Sequence, residues 1–323
     1  MNHNTLNRPW NRFRKNLRFT KSYNGAMEKP NSVLVLAAGS LGDALLTLPA
    51  LKALQSRSNI TVAGTQPYLE LGAKLLGVDQ VIPLDPLLQI LFSSGPGDSQ
   101  KDFWVQFREI FVFFKDKDEV ILENLAKLSG AKVQFPSKPF REFLKEARWA
   151  AEYWLETAFQ CPLAPDSPFR QARLQLDAST QKKGKEILDS LKLKNPLVIH
   201  PGSGSPAKNA PLAFFRNAAE RAVRESQKQV LVVWGEAEEK NMETIRNAFE
   251  GLKDVVFAQG IFPLPDLAGV FSQSAAFLGN DSGVTHMASA CGLRTFAVFQ
   301  TTDSRVWGPQ EAVILAAMKN LYT

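Results

Sequence analysis

From residue 33 onward the chain alternates short apolar runs with stretches whose apolar positions recur every three or four residues. The runs at 33–37, 60–63, 80–82, 110–114 and 132–135 read as strands. The stretches at 43–55, 67–76, 117–129 and 141–159 read as helices. The second half repeats the theme, with strands at 197–200, 229–234, 255–258, 275–278 and 295–299 and helices at 211–226, 237–249, 264–273 and 283–291. Its runs are nearly continuous in Val, Leu, Ile or Phe, as in strands buried on both faces. The alternation predicts an α/β fold of parallel sheets covered by helices. A Pro-rich break at 161–168, a strand-like 172–176 and a charged helix at 178–192 separate the halves. The expected organisation is a tail over 1–29, a Rossmann-like doubly wound domain over 30–177, a linker helix over 178–195 and a second such domain over 196–323. Ligands would then sit in the inter-domain cleft, at the carboxyl ends of the strands.

Composition narrows the classes. A length of 323 residues with 45% hydrophobic content suits two domains and excludes a disordered chain. Two cysteines, Cys161 and Cys291, exclude a disulfide framework and a cysteine zinc cluster. Three histidines are too few for a multi-histidine metal centre. The start of the chain lacks the apolar core of a secretory signal, and the longest weakly charged stretch, 255–280, is broken by Pro263, Pro265 and Asp266.

Charge is unevenly placed. Residues 1–29 hold seven basic side chains against Glu28 alone, which accounts for the whole net charge of +6. The rest of the chain balances, so no nucleic-acid surface is indicated on the domains. Within the tail, Trp10, Phe13 and Leu17 are interleaved with Arg12, Arg14, Lys15 and Arg18. Residues 8–19 could lie as a short basic amphipathic helix on an anionic membrane. The pattern spans barely two turns, which favours a disordered extension, or a start at Met27.

Candidate chemistry sits in loops that follow strands. The first is Ala38-Gly39-Ser40-Leu41-Gly42-Asp43, whose glycines allow a tight turn and close approach to a ligand. Asp43, at a helix N-terminus, suits a helix cap and a general base for a sugar hydroxyl equally. The loop is no dinucleotide fingerprint, because the third glycine is missing and no acid clearly ends the next strand. The second loop is His200-Pro201-Gly202-Ser203-Gly204-Ser205-Pro206-Ala207-Lys208-Asn209. Its backbone N–H groups and Lys208 suit a phosphate, and an ordinary βα turn with a surface lysine explains the same residues.

The third loop is Gly279-Asn280-Asp281-Ser282-Gly283-Val284-Thr285-His286. Asp281 or Ser282 can cap the next helix, and Gly283 lets a diphosphate approach its N-terminus. His286 lies one turn beyond Ser282 and either donates to phosphate or is a satisfied buried histidine. Asp281 would repel phosphate, so it orders the loop or accepts from a hydroxyl. A fourth cluster, Trp234-Gly235-Glu236-Ala237-Glu238-Glu239, offers an acid to ribose hydroxyls, although most of these glutamates fit a solvated first turn. Asp116-Lys117-Asp118 resembles an Asp-x-Asp metal site, but acids opening the 117–129 helix explain it without a metal.

Three of these segments, in this order, resemble glycosyltransferase family 9, the lipopolysaccharide heptosyltransferases: Ser40-Leu41-Gly42-Asp43 with Thr47-Leu48-Pro49-Ala50-Leu51, His200-Pro201-Gly202-Ser203-Gly204 with Lys208, and Gly279 to His286. The resemblance implies a GT-B architecture of two Rossmann-like domains with the active site between them. It implies inverting, metal-independent transfer of a heptose from ADP-heptose, a co-substrate rather than a cofactor, to a lipid A–core acceptor. The setting implied is the cytoplasmic face of a Gram-negative inner membrane. It makes Asp43 the catalytic base, with Gly39, Ser40 and Gly42 in the acceptor-side loop. It makes Lys208 the phosphate-binding lysine, with Ser203 and Gly204 beside it, and Asp281, Ser282, Gly283 and His286 donor-binding residues. The ribose-binding glutamate falls on Glu238 or Glu239.

The chain departs from the family at Ala37-Ala38, where a basic residue is usual, and at Gln300-Thr301-Thr302-Asp303, where Gly-Pro-Thr-Asp is usual. Competing readings are a GT-B transferase for another nucleotide sugar and a non-catalytic member that binds nucleotide or glycan. A nicotinamide oxidoreductase is disfavoured by the missing fingerprint.

Overall fold

The structure, a computed structural model, describes residues 32–92, 98–114, 120–160 and 168–316. The basic tail, the Asp116-Lys117-Asp118 segment and Cys161 lie outside the described residues. Among the described residues the strands form two parallel sheets. The first contains β1 (Ser32–Ala37), β2 (Asn59–Gly64), β3 (Gln80–Pro83), β4 (Glu109–Phe113) and β5 (Lys132–Gln134), in the order 3-2-1-4-5. The second contains β6 (Leu197–His200), β7 (Val230–Val232), β8 (Val255–Phe257), β9 (Ala276–Asn280), β10 (Thr295–Phe299) and β11 (Val313–Ala316), in the order 8-7-6-9-10-11. Both orders are Rossmann-like. They turn back beside β1 and β6, so the loops leaving those strands open the two switch points. The central strands are apolar because both their faces are covered: Val33 to Ala37 of β1 are all buried. Register is fixed on each side, with Val35 opposite Val62 of β2 and Phe111 of β4.

Two expected helices are each divided in the structure. The stretch at 43–55 forms α1 (Leu41–Leu46) and α2 (Leu48–Gln55). Pro49 has no N–H for the preceding turn, and the Thr47 hydroxyl donates to Ala44 O (2.7 Å) at the join. Between them and β3 lies α3 (Gln66–Leu76). The short helices α4 (Asp85–Leu91) and α5 (Asp98–Trp104), and the later β11, were not expected, and α6 (Val120–Leu128) follows β4. The stretch at 141–159 forms α7 (Phe140–Leu144) and α8 (Ala150–Phe159). Between these two, Arg148 bonds Glu146, Glu152 and Glu156, and Arg170 pairs with Glu152 at 2.7 Å.

Residues 172–176 join neither sheet, contrary to the strand expected there. They run extended between the halves instead: Leu174 N–H donates to Ala290 O (2.9 Å), and Gln175 N–H donates to Leu75 O (2.8 Å). Next come α9 (Ala178–Ser190), α10 (Leu212–Ser226), α11 (Met242–Ala248), α12 (Leu264–Ser272), α13 (Gly283–Ala290) and α14 (Ser304–Trp307). One buried apolar cluster takes Leu51 and Leu75 from the first half, Leu174 and Leu188 from the connection, and Phe271 and Met287 from the second half. The two sheets are thereby held with α1 against α13, which sets the geometry of the site. No helix among the described residues is long and apolar enough to cross a membrane.

Candidate active site

A cavity of about 420 Å³ opens where the loops after β1, β6, β7 and β9 meet. Its wall includes Ser40 to Gly42 from the first half and His200, Ser203, Lys208, Glu238 and Asp281 to Val284 from the second. Two helix N-termini converge there, those of α1 and α13. The aligned peptide dipoles of α13 favour an anion at its end. Gly283 is what lets them meet: a Cβ at that position would lie 2.8 Å from Leu41 Cβ and 3.0 Å from Gly42 N. Its missing side chain therefore serves helix contact, besides any approach of a ligand. Ser282 caps α13, its Oγ accepting from Thr285 N–H at 3.3 Å.

Asp281 is 5% exposed, and its Oδ2 takes an ion pair from Lys208 Nζ (2.8 Å) and a hydrogen bond from the Thr302 hydroxyl (2.5 Å). The carboxylate thus orders the loop and holds the ammonium at the cavity wall. Thr302, on the loop after β10, was noted in the sequence only as part of a departure from the family, and its hydroxyl is what reaches Asp281. The Lys208 loop is anchored by Asn280, a fully buried residue that sequence reasoning did not single out. Its Oδ1 accepts from Ala210 N–H (2.9 Å), and its Nδ2 donates to Pro201 O (2.7 Å). Ser203 Oγ lies 2.6 Å from Asn209 Oδ1 and 2.8 Å from Ser205 O, so its proton is spent inside the loop. Gly204 is exposed, with open space where a Cβ would stand.

Asp43 is exposed and lies outside the cavity lining, although its neighbours Ser40, Leu41 and Gly42 line it. Its Oδ2 accepts from the Ser40 N–H and the Ser40 hydroxyl, both at 2.8 Å, so it caps α1. Oδ1 is left without a protein partner among the described residues. Gly39 has φ +138°, and a Cβ there would lie 2.5 Å from Asp43 Cβ, so only glycine fits this turn.

Glu238 and Glu239 part company. Glu239 is exposed and away from the cavity. Glu238 is 5% exposed and lines it. Its Oε2 accepts from Gly235 N–H (2.9 Å) and meets His200 Nε2 (3.2 Å). Burial pushes this carboxyl up, but the His200 bond and charge and the Gly235 N–H prevail and hold it below the ordinary glutamate range.

His286 is 8% exposed and does not line this cavity. It borders a smaller one of about 50 Å³, beside Leu45, Pro49, Trp149 and Arg170. Burial lowers its imidazole to about 4, against the opposing influence of Asp281 and Asp43, and it bonds the Trp307 backbone. At neutral pH it is therefore uncharged. Among the described residues no group of three or more His, Cys, Asp or Glu is arranged to hold a metal.

The profile of glycosyltransferase family 9 (heptosyltransferase) matches residues 151–321, just over half of the chain. The chain belongs to this family. It is a heptosyltransferase-like glycosyltransferase with the GT-B fold. Solved structures agree in fold across nearly its whole length. A family 9 glycosyl transferase from Veillonella parvula DSM 2008 superposes with TM-score 0.70 at 17% identity, covering 91% of this chain and 89% of that one. The ADP-heptose lps heptosyltransferase II of E. coli gives 0.67 at 17% identity, covering 88% and 90%. E. coli heptosyltransferase WaaC, solved with ADP, gives 0.61 at 17% identity, covering 88% and 93%. A search of curated proteins found no match.

Proposed function

We propose that this glycosyltransferase moves a heptose from ADP-heptose to a lipopolysaccharide inner-core acceptor, with inversion and without a metal. One observation carries the reading: Lys208 and the N-termini of α1 and α13 converge on a single cavity between the two sheets. That is where a departing diphosphate needs charge. The WaaC structure with ADP-2-deoxy-2-fluoro heptose supports this choice of donor through the shared fold.

In this reading Asp43 Oδ1 takes the proton of an acceptor hydroxyl, whose oxygen attacks the anomeric carbon. The bond from that carbon to the diphosphate oxygen breaks, and its electron pair leaves with ADP. Lys208 and the N-terminus of α13 stabilise the charge that gathers there. One displacement inverts the anomeric centre. In this reading the acceptor would put the reaction at the cytoplasmic face of a Gram-negative inner membrane.

The test is calorimetric titration of the full chain with ADP, UDP, GDP and ADP-heptose. Selective binding of the adenine pair, tighter for ADP-heptose, is expected. Selectivity for UDP or GDP would move the reading to another nucleotide sugar, and no binding by folded protein would favour a non-catalytic member.

A further inference from the structure

His200 closes β6, is 3% exposed, and lines the nucleotide cavity. Its Nε2 faces Glu238 Oε2 at 3.2 Å. An ionised carboxylate only accepts, so Nε2 carries the proton and donates it. Nδ1 is buried with no hydrogen-bond partner, so the ring's one contact with a side chain is through Nε2. The pair is thus an imidazole N–H clamping a buried carboxylate.

The clamp has a second jaw. A Cβ on Gly202 would fall 1.9 Å from Glu238 Oε1, so the carboxylate occupies the space that a side chain at 202 would take. Two connections therefore spend groups on one carboxylate: the end of β6 and its loop bring His200 and Gly202, and the turn after β7 brings Gly235 N–H. An acid after the second strand of a Rossmann-like sheet is where nucleotide ribose hydroxyls are met.

We propose that His200 is a positioning residue for the donor: its Nε2–H locks the Glu238 carboxylate against Gly202 so that Glu238 accepts from a ribose hydroxyl of the nucleotide. The inference rests on the nucleotide-donor reading above. A purely structural clamp would pin the β6 and β7 loops equally well, and hydroxyl discrimination separates the two.

The experiment is calorimetric titration of the full chain and its variants with ADP, 2′-deoxy-ADP and 3′-deoxy-ADP. Wild type should bind ADP about tenfold more tightly than at least one deoxy analogue, as expected for one lost hydrogen bond to a charged group. His200→Leu should bring that ratio close to one while leaving affinity for the deoxy analogue within about twofold. His200→Gln, whose amide N–H can stand near the position of Nε2–H, should keep most of the discrimination. Equal weakening of ADP and both analogues by His200→Leu, or an unchanged ratio, would overturn the assignment. Failure of wild type to bind ADP at all would instead overturn the donor reading beneath it. If His200→Leu does not fold, ¹⁵N resonances of the wild-type imidazoles decide, since the chain has three histidines. The expected result is a protonated Nε2 at His200 whose signals move with ADP and less with the deoxy analogue; identical movement with all three nucleotides would refute it.

Discussion

Removing the Lys208 ammonium tests the anion site most directly. In the absence of donor, Nζ lies 2.8 Å from Asp281 Oδ2, at the wall of a cavity that two helix ends also face. A hydrogen bond from an ammonium to a diphosphate oxygen contributes about 1.5–3 kcal/mol, or roughly 10- to 150-fold in affinity. Lys208→Ala also leaves the buried Asp281 carboxylate with only the Thr302 hydroxyl, facing an incoming anion. The loss should therefore fall in the upper part of the range, about 100-fold for ADP by calorimetry. ADP is the right probe because it lacks the heptose, so any contact from Asp281 to a heptose hydroxyl does not enter. Asp281→Asn removes the competing charge and should leave ADP affinity equal or higher. Lys208→Ala/Asp281→Asn should bind ADP more tightly than Lys208→Ala alone. Asp43→Asn is the counter-case. Its amide oxygen can still accept from Ser40 N–H and cap α1, so ADP affinity should stay within about twofold while turnover falls at least 100-fold. Equal losses of ADP affinity in Lys208→Ala and Asp43→Asn would refute the division of roles. An Asp281→Asn loss as large as that of Lys208→Ala would refute the counter-ion role of Asp281.

Three further perturbations have defined outcomes. Gly39→Ala forces a Cβ into Asp43 at φ +138° and should destabilise by about 1–3 kcal/mol in urea titration, lowering kcat more than ADP affinity. Asn280→Ala strands the buried Ala210 N–H and frees the Lys208 loop; a loss of about 2–4 kcal/mol and weaker ADP binding are expected from the same two assays. His286 titrates near 6.5 unfolded and at about 4 folded, so its contribution to stability falls as pH drops from 6.5 to 4, by on the order of 3 kcal/mol. Carboxylates held below their ordinary range also lose stability in acid, so the measurement is the difference between wild type and His286→Gln, which should narrow across that interval.

Most of the sheet architecture was legible because parallel strands buried on both faces leave nearly continuous apolar runs. The runs at 33–37, 60–63 and 295–299 became β1, β2 and β10 within a residue at each end. What failed was where short elements or tertiary partners decide. Residues 172–176 carry a strand's alternation but bond to Leu75 and Ala290, one from each half, so local pattern could not show that they bridge rather than join a sheet. The Pro49 restart was readable in principle, since proline favours a helix's first turn. The short α4 and α14 are too brief for periodicity to register.

The site was legible as loops and only partly as side chains. Glycines and serines after β1, β6 and β9 marked where a ligand would approach, but not what each glycine accommodates. Gly39 makes room for Asp43, Gly202 for Glu238 and Gly283 for Leu41. The choice between Glu238 and Glu239 needed the third dimension, because only packing shows which of two adjacent acids turns inward beneath His200. These placements share a logic. In the first βα turn of each half, a glycine surrenders its side-chain space to a carboxylate, and neighbouring N–H groups then fix that carboxylate's direction. Asp43 is fixed from within its own turn, so a substitution there changes one loop. Glu238 is fixed from the ends of two adjacent strands, so its alignment depends on the second sheet being intact. Damage to the packing of that sheet should therefore reach nucleotide affinity before it reaches the Asp43 loop.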